Sequence, residues 1–142
     1  MQNQPKLADF PFRSFDKLRY GDTDRQGHVN NAVFGTFLET GRCELLENGF
    51  GASWRQTGTS IVIARLELDF IAEILWPGQV EIGTAVSKIG NSSIRLVQVV
   101  FQEDRLVAKA QSVLVHLGPD KRPAPLPDAA REQLTGLMLA CA

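Results

Sequence analysis

Two hydrophobic periods follow one another in this chain, and together they limit what it can fold into. From Asn31 to Asn48 the period is helical: Val33, Phe37, Gly41 and Leu45 fall at i, i+4, i+8 and i+12, and Phe34, Leu38 and Leu46 widen the stripe. From residue 59 onward the period is two. Val62, Ala64, Leu66, Leu68 and Phe70 alternate with Arg65, Glu67 and Asp69 over 59–72, and similar alternation recurs over 79–89, 93–103 and 105–117. Alternation rich in β-branched residues predicts strands. Trp76-Pro77-Gly78, Gly90-Asn91-Ser92 and Glu103-Asp104 separate them with turn chemistry. The last three read as an antiparallel meander of long strands, roughly 10–13 residues each against a usual 5–6. Long strands curl, so one face should cover the helix, and the other, also apolar in parts, should pack on a partner.

A further strand is expected over 12–20, with Phe12, Ser14, Asp16, Leu18 and Tyr20 on one face. The expected class is therefore α+β, with one long helix and an antiparallel sheet of about five strands. Asn30 or Asn31 suits the helix start and Gly49 its C′ position. Gly35 and Gly41 each cost about 1 kcal/mol of helix propensity relative to alanine, which points to a sheet passing close over the helix. Residues 1–11 read as a loose N-terminal arm, 12–117 as the domain, and 118–142 as a Pro-rich connector with a short helix over 128–140. In that helix Leu134, Leu137 and Met138 share a side, and Asp128 suits its N-terminal dipole.

A chain of 142 residues is expected to form one domain. Its net charge of −1 argues against a general nucleic-acid binder, while leaving room for a local basic patch. Cys43 and Cys141 match no disulfide or zinc spacing and read as free thiols of a reducing compartment. The first residues lack a charged region followed by an apolar run, and no segment has the apolar length of a membrane span. A cytoplasmic protein is expected.

The chemistry is concentrated in Tyr20-Gly21-Asp22-Thr23-Asp24-Arg25-Gln26-Gly27-His28-Val29-Asn30-Asn31. Two carboxylates, an imidazole and three carboxamides stand in this segment at the helix start. Backbone N–H groups at a helix start lack intrahelical acceptors and point outward, so ionisable groups held there can do chemistry. The plain alternatives are structural. Asp24 can make an Asx-turn before Gly27, Asp22 can stabilise the fold, Asn30 can cap, and His28, as a lone histidine before a helix, can be purely structural.

An aromatic residue followed by Asp-x-Asp-x-x-Gly-His-Val-x-Asn is carried here by Tyr20, Asp22, Asp24, Gly27, His28, Val29 and Asn31. Glu39 and Arg42 supply a trailing Glu-x-x-Arg, and Gly90-Asn91-Ser92-Ser93 a Gly-x-Ser-Ser turn. On these residues the chain, over roughly 12–117, resembles the hotdog-fold acyl-CoA thioesterases of the 4-hydroxybenzoyl-CoA thioesterase type. The resemblance implies a helix wrapped by a curved antiparallel sheet, and a homodimer or homotetramer with active sites at the subunit interface.

It also implies hydrolysis of an acyl-CoA, with Asp24 as base or nucleophile and the Asn31 backbone N–H as oxyanion donor. His28 would support by orienting Asp24 or water. Hydratases of the same fold use an Asp-x-x-x-x-His spacing, which Asp24 and His28 miss by one residue. Glu39 and Arg42 read first as an ion pair or a link to the sheet. Substrate contacts fall to Asn30, to Phe34, Phe37, Phe50 and Trp54 around the acyl group, and to Lys88, Asn91, Ser92, Ser93 and Arg95 around the coenzyme A nucleotide. No cofactor, metal, nucleic acid or membrane is implied. The rival readings are hydrolysis of an acyl carrier protein thioester and a non-catalytic acyl-binding or assembly module.

Overall fold

The computed structural model describes residues 4–50 and 58–139, the side chains of Gly49 and Phe50 apart. Five strands and two helices follow the order β1 (Phe12–Lys17), α1 (Asn31–Phe50), β2 (Ser60–Phe70), β3 (Gln79–Ile89), β4 (Ser93–Gln102), β5 (Arg105–Leu117) and α2 (Asp128–Thr135). All neighbouring strands are antiparallel, in the order β1-β3-β4-β5-β2. The expected meander β3-β4-β5 forms the middle, and this is the α+β hotdog architecture.

Helix α1 packs on β1, β3 and β4. Phe34, Phe37, Leu38 and Leu45 are buried against Val80, Ile82, Val86, Ile94, Leu96 and Val100. Each fully buried side chain of this size stabilises the fold by about 1.5–3 kcal/mol. Gly41 is where the sheet comes closest, because an added Cβ would lie 2.7 Å from Gln98 Nε2, 2.8 Å from Ile82 Cγ2 and 2.9 Å from Thr84 Oγ1. Gly35 differs from expectation, since an added Cβ there meets nothing within 4 Å. The helix also runs through Gly49 to Phe50, past the expected stop. The Asn48 side-chain amide bonds back to the Glu44 carbonyl at 2.8 Å.

The described part of the opening arm, from residue 4, is not loose. Leu7–Asp9 forms a 3-10 turn, and Phe10, 4% exposed, lies on the sheet face opposite α1 with Val99, Phe101 and Leu106. A Cβ at Gly83 would sit 2.8 Å from the Phe10 ring, so that glycine makes room for it. Much of the second apolar face is thus covered by the chain's own arm and by Leu139. Strand β1 ends at Lys17, and Tyr20 turns outward, 73% exposed, in a 3-10 turn over Tyr20–Asp22. Asp22 closes that turn by accepting the Arg19 N–H at 2.9 Å, which takes the chain out of the strand.

Helix α2 stops at Thr135, short of the expected 140. Beyond it the Val86 N–H donates to the Leu137 carbonyl and the Leu139 N–H to the Val86 carbonyl, at 2.8 and 3.0 Å. This strand-like pairing leaves Leu137 packed and Met138 turned outward. Glu103 and Asp104, both at positive φ, make the two-residue hairpin between β4 and β5. Edge strand β2 is the least covered element, with Val62, Ile63, Leu66 and Phe70 each 40–52% exposed. Among the described residues no helix is long and apolar enough to cross a membrane.

Candidate functional site

The Asp-rich segment folds as a tight turn feeding α1. The Asp24 N–H donates to the His28 carbonyl at 2.9 Å, the Gly27 N–H to the Asp24 carbonyl at 3.0 Å, and Thr23 pairs with Val29. Gly27 has φ 89, a left-handed conformation that glycine adopts without a Cβ penalty. Asp24 is half-buried, and its Oδ1 accepts the Gln26 N–H at 2.9 Å. Its Oδ2 takes no bond among the described residues. Asp22 is buried, and besides the Arg19 N–H its carboxylate meets the exposed Arg19 guanidinium at 3.2 Å. Its backbone carbonyl accepts the Asn30 N–H at 2.8 Å.

Asn30 caps α1: its Oδ1 accepts the Ala32 N–H at 3.0 Å, and its carbonyl accepts the Val33 N–H at 2.9 Å. The Asn31 N–H is left unpaired among the described residues. It stands beside a cleft of 260 Å³ lined by His28, Val29, Asn31, Phe34, Phe70, Ile71, Ala72 and Glu73. The Phe34 and Phe70 rings meet edge to face there, with centroids 5.1 Å apart. Asp24 is on the adjoining turn and is not among the lining residues. The imidazole of His28 meets Glu73, not Asp24, with Nε2 3.2 Å from Oε2. Asp24 and His28 are joined through backbone alone.

Glu73, Phe70 and Ile71 carry no signal in the sequence, because they reach the cleft only through tertiary pairing. Phe37 is buried in the core, whereas Phe34 is buried and also lines the cleft. Trp54 and the Phe50 side chain lie outside the described residues. Glu39 is exposed and Arg42 buried, without an ion pair between them. Burial lowers the Arg42 pKa from its ordinary value, partly offset by Cys43 and Glu39. Among the described residues no group of three or more His, Cys, Asp or Glu side chains gathers as a metal site.

The Gly90–Ser93 turn and its flanks lie elsewhere. The cleft borders the end of β2, whereas Lys88 and Arg95 flank the turn at the far end of β3, an 11-residue strand. Arg95 is level with Arg65 of β2, five residues from Phe70, so at ~3.3 Å per residue it lies roughly 17 Å along the sheet from the cleft end of β2. Lys88 faces Arg95 across β3 and β4, and the same row continues through Val113 to Arg65. Like charges opposite one another destabilise a sheet, and Arg65 is partly neutralised by Glu67 at 2.6 Å. Asn91 is exposed, and Ser92 and Ser93 half-buried. The Asn91 carbonyl accepts the Leu126 N–H and the Arg131 guanidinium, tying the turn to the connector and α2.

Residues 18–134 match the family model described as Thioesterase-like superfamily. Among solved structures, a thioesterase from Thermus thermophilus, crystallised complexed with coenzyme A and Zn, is 36% identical, with a TM-score of 0.81 over 91% of this chain and 95% of that one. A predicted thioesterase from Bacillus stearothermophilus is 29% identical, with a TM-score of 0.80 over 89% and 96%. A protein from Pseudomonas aeruginosa PAO1, 24% identical, shares the fold with a TM-score of 0.87 over 97% and 99%.

Proposed function

The chain belongs to the thioesterase-like superfamily, and from that premise we propose that it hydrolyses an acyl-CoA to the free acid and coenzyme A. The unpaired N–H of Asn31, a residue that stands at the start of α1 and lines a cleft with Phe34 and Phe70, carries the reading. A donor fixed at a helix start stabilises the oxyanion that forms when a thioester carbonyl is attacked. Asp24, with the oxygen not used by Gln26, acts as base for water or as nucleophile. In the net reaction the water oxygen bonds to the carbonyl carbon, the C–S bond breaks, and a proton ends on the coenzyme A sulfur. The relative crystallised with coenzyme A supports the substrate class.

The cleft lies at the Phe70 end of β2 and the Gly90–Ser93 turn at its Ser60 end, and a second copy can bring the two together. Strand β2 offers the means, because its open edge and apolar side chains call for a cover. Antiparallel pairing of two β2 edges about a two-fold axis sets the Phe70 end of one against the Ser60 end of the other. The partner's Gly90–Ser93 turn, level with the Ser60 end of its own β2, then approaches the cleft, with the partner's Arg95 farther along the sheet. The acyl chain lies by Phe34 and Phe70, and the nucleotide by the basic row.

The test is thiol release from short, long and aromatic acyl-CoAs, with sedimentation of the same sample. The wild type should sediment as a dimer or tetramer and turn over at least one ester. Asp24→Asn should lose roughly 10²–10⁴-fold in rate, the usual scale for a positioned base, with unchanged circular dichroism. Wild-type protein that releases no thiol from any ester, or an Asp24→Asn variant as fast as wild type, would sink the proposal.

A further inference from the structure

The segment after β2 is a loop by its dihedrals, yet it is fastened on several sides. The Ile71 and Ala72 N–H groups donate to the Val107 carbonyl at 2.9 and 3.2 Å, and the Val29 N–H donates to the Ile74 carbonyl at 2.9 Å. The Leu75 N–H donates to Gln102 Oε1 at 3.0 Å, and Gln102 Nε2 returns a bond to the Leu75 carbonyl at 2.7 Å. Arg105 donates to the Glu73 carbonyl at 2.8 Å. His28 pairs with Leu75 as an isolated bridge. An ordinary surface loop has no need of this many bonds. Their joint effect is to fix the backbone of Glu73 beside that of His28, with the two side chains 3.2 Å apart at the cleft wall.

We propose that Glu73 is a positioning residue for thioester hydrolysis, acting through His28; this rests on the thioesterase reading above. The pair is half-exposed, so its strength as an ion pair is small. Its value is geometric. When Nε2–H donates to a carboxylate, the neutral ring must carry its proton there, and Nδ1 becomes the acceptor. Glu73 thus fixes both the tautomer and the ring plane of the imidazole that lines the cleft. His28 can then accept a hydrogen bond from the water that attacks the thioester, while Asn31 polarises the carbonyl. His28 and Glu73 therefore form a unit separate from Asp24, with which His28 shares only backbone bonds.

Two readouts test this. In Glu73→Ala, kcat for the best acyl-CoA should fall about tenfold, below the range for loss of an acid–base group itself, while KM stays within about twofold of the wild type. Glu73→Gln, which keeps a carbonyl acceptor, should recover part of that loss. Independently of activity, nitrogen-15 resonances of His28 should report the Nε2–H tautomer in wild type and a mixture in Glu73→Ala. Wild-type kcat in Glu73→Ala, or an unchanged tautomer, overturns the proposal. A tautomer that responds to Glu73 in a protein that cleaves no thioester shows instead that the pair is real and the thioesterase reading has failed.

Discussion

Adding a single methyl group at Gly41 should destabilise the fold, while the same change six residues earlier should stabilise it. Atoms in ordinary contact sit roughly 3.5–4.0 Å apart, whereas the Cβ of Gly41→Ala would meet three side-chain atoms at 2.7–2.9 Å. One of them, Gln98 Nε2, is buried and donates to the Leu38 carbonyl at 3.0 Å and to Thr84 Oγ1 at 3.1 Å. Moving it aside strains or breaks those bonds. Overpacking costs about 1–3 kcal/mol, and a buried amide left short of a partner about 1–3 kcal/mol. Relief of the glycine helix penalty offsets about 1 kcal/mol. The net expectation is a loss of about 3 kcal/mol, or a fall in Tm of about 10 °C for a chain of 142 residues. Gly35→Ala meets nothing within 4 Å and should gain about 0.5–1 kcal/mol from propensity alone. Urea and thermal unfolding of both variants, at one protein concentration because association shifts Tm, check the pair. Shifts of the same sign, or a Gly41→Ala loss under about 1 kcal/mol, would refute the argument that Gly41 is fixed by sheet contact.

Two further outcomes follow from single contacts. Asn30→Ala removes the cap on the Ala32 N–H and should cost about 1 kcal/mol in urea unfolding; no measurable loss would mean the cap is dispensable. Phe10→Ala empties the place over Gly83 and should cost about 3–5 kcal/mol, with the uncovered sheet face newly binding an apolar dye. A loss under about 1 kcal/mol would mean that the arm adds little to the fold.

What can be read in the sequence divides along a physical line. Periodicity is a local property, so α1 and the four long strands are legible, and the hairpin at Glu103-Asp104 with them. The Asn30 cap is legible because a cap reaches only two residues along the chain. The docking of Phe10 is not, because it depends on the absence of a side chain at Gly83, far along the sequence. The stripe on β2 reads as a buried face, yet only Leu68 packs on the core, Phe70 meets Phe34 at its edge, and Val62 and Leu66 stay exposed, since burial depends on what lies opposite. Glu73 is the sharpest case. It falls between the end of β2 and Trp76-Pro77-Gly78 with no pattern around it, and its nearness to His28 exists only after β4 and β5 have pinned the loop.

The pinning has a common origin. Strand β4 lies at the centre of the sheet and carries two buried glutamines with opposite assignments. Gln98 bonds to the Leu38 carbonyl and so holds α1, which brings Asn31 and Phe34 to one wall of the cleft. Gln102 makes paired bonds to Leu75 and so holds the segment that brings Glu73 to the other. Burying an amide is unfavourable unless it is bonded, so each glutamine favours the arrangement in which its partner is in place. The distance between the two walls is therefore set by the spacing of two residues on one rigid strand. This explains how a cleft between a helix end and a loop can hold a fixed geometry.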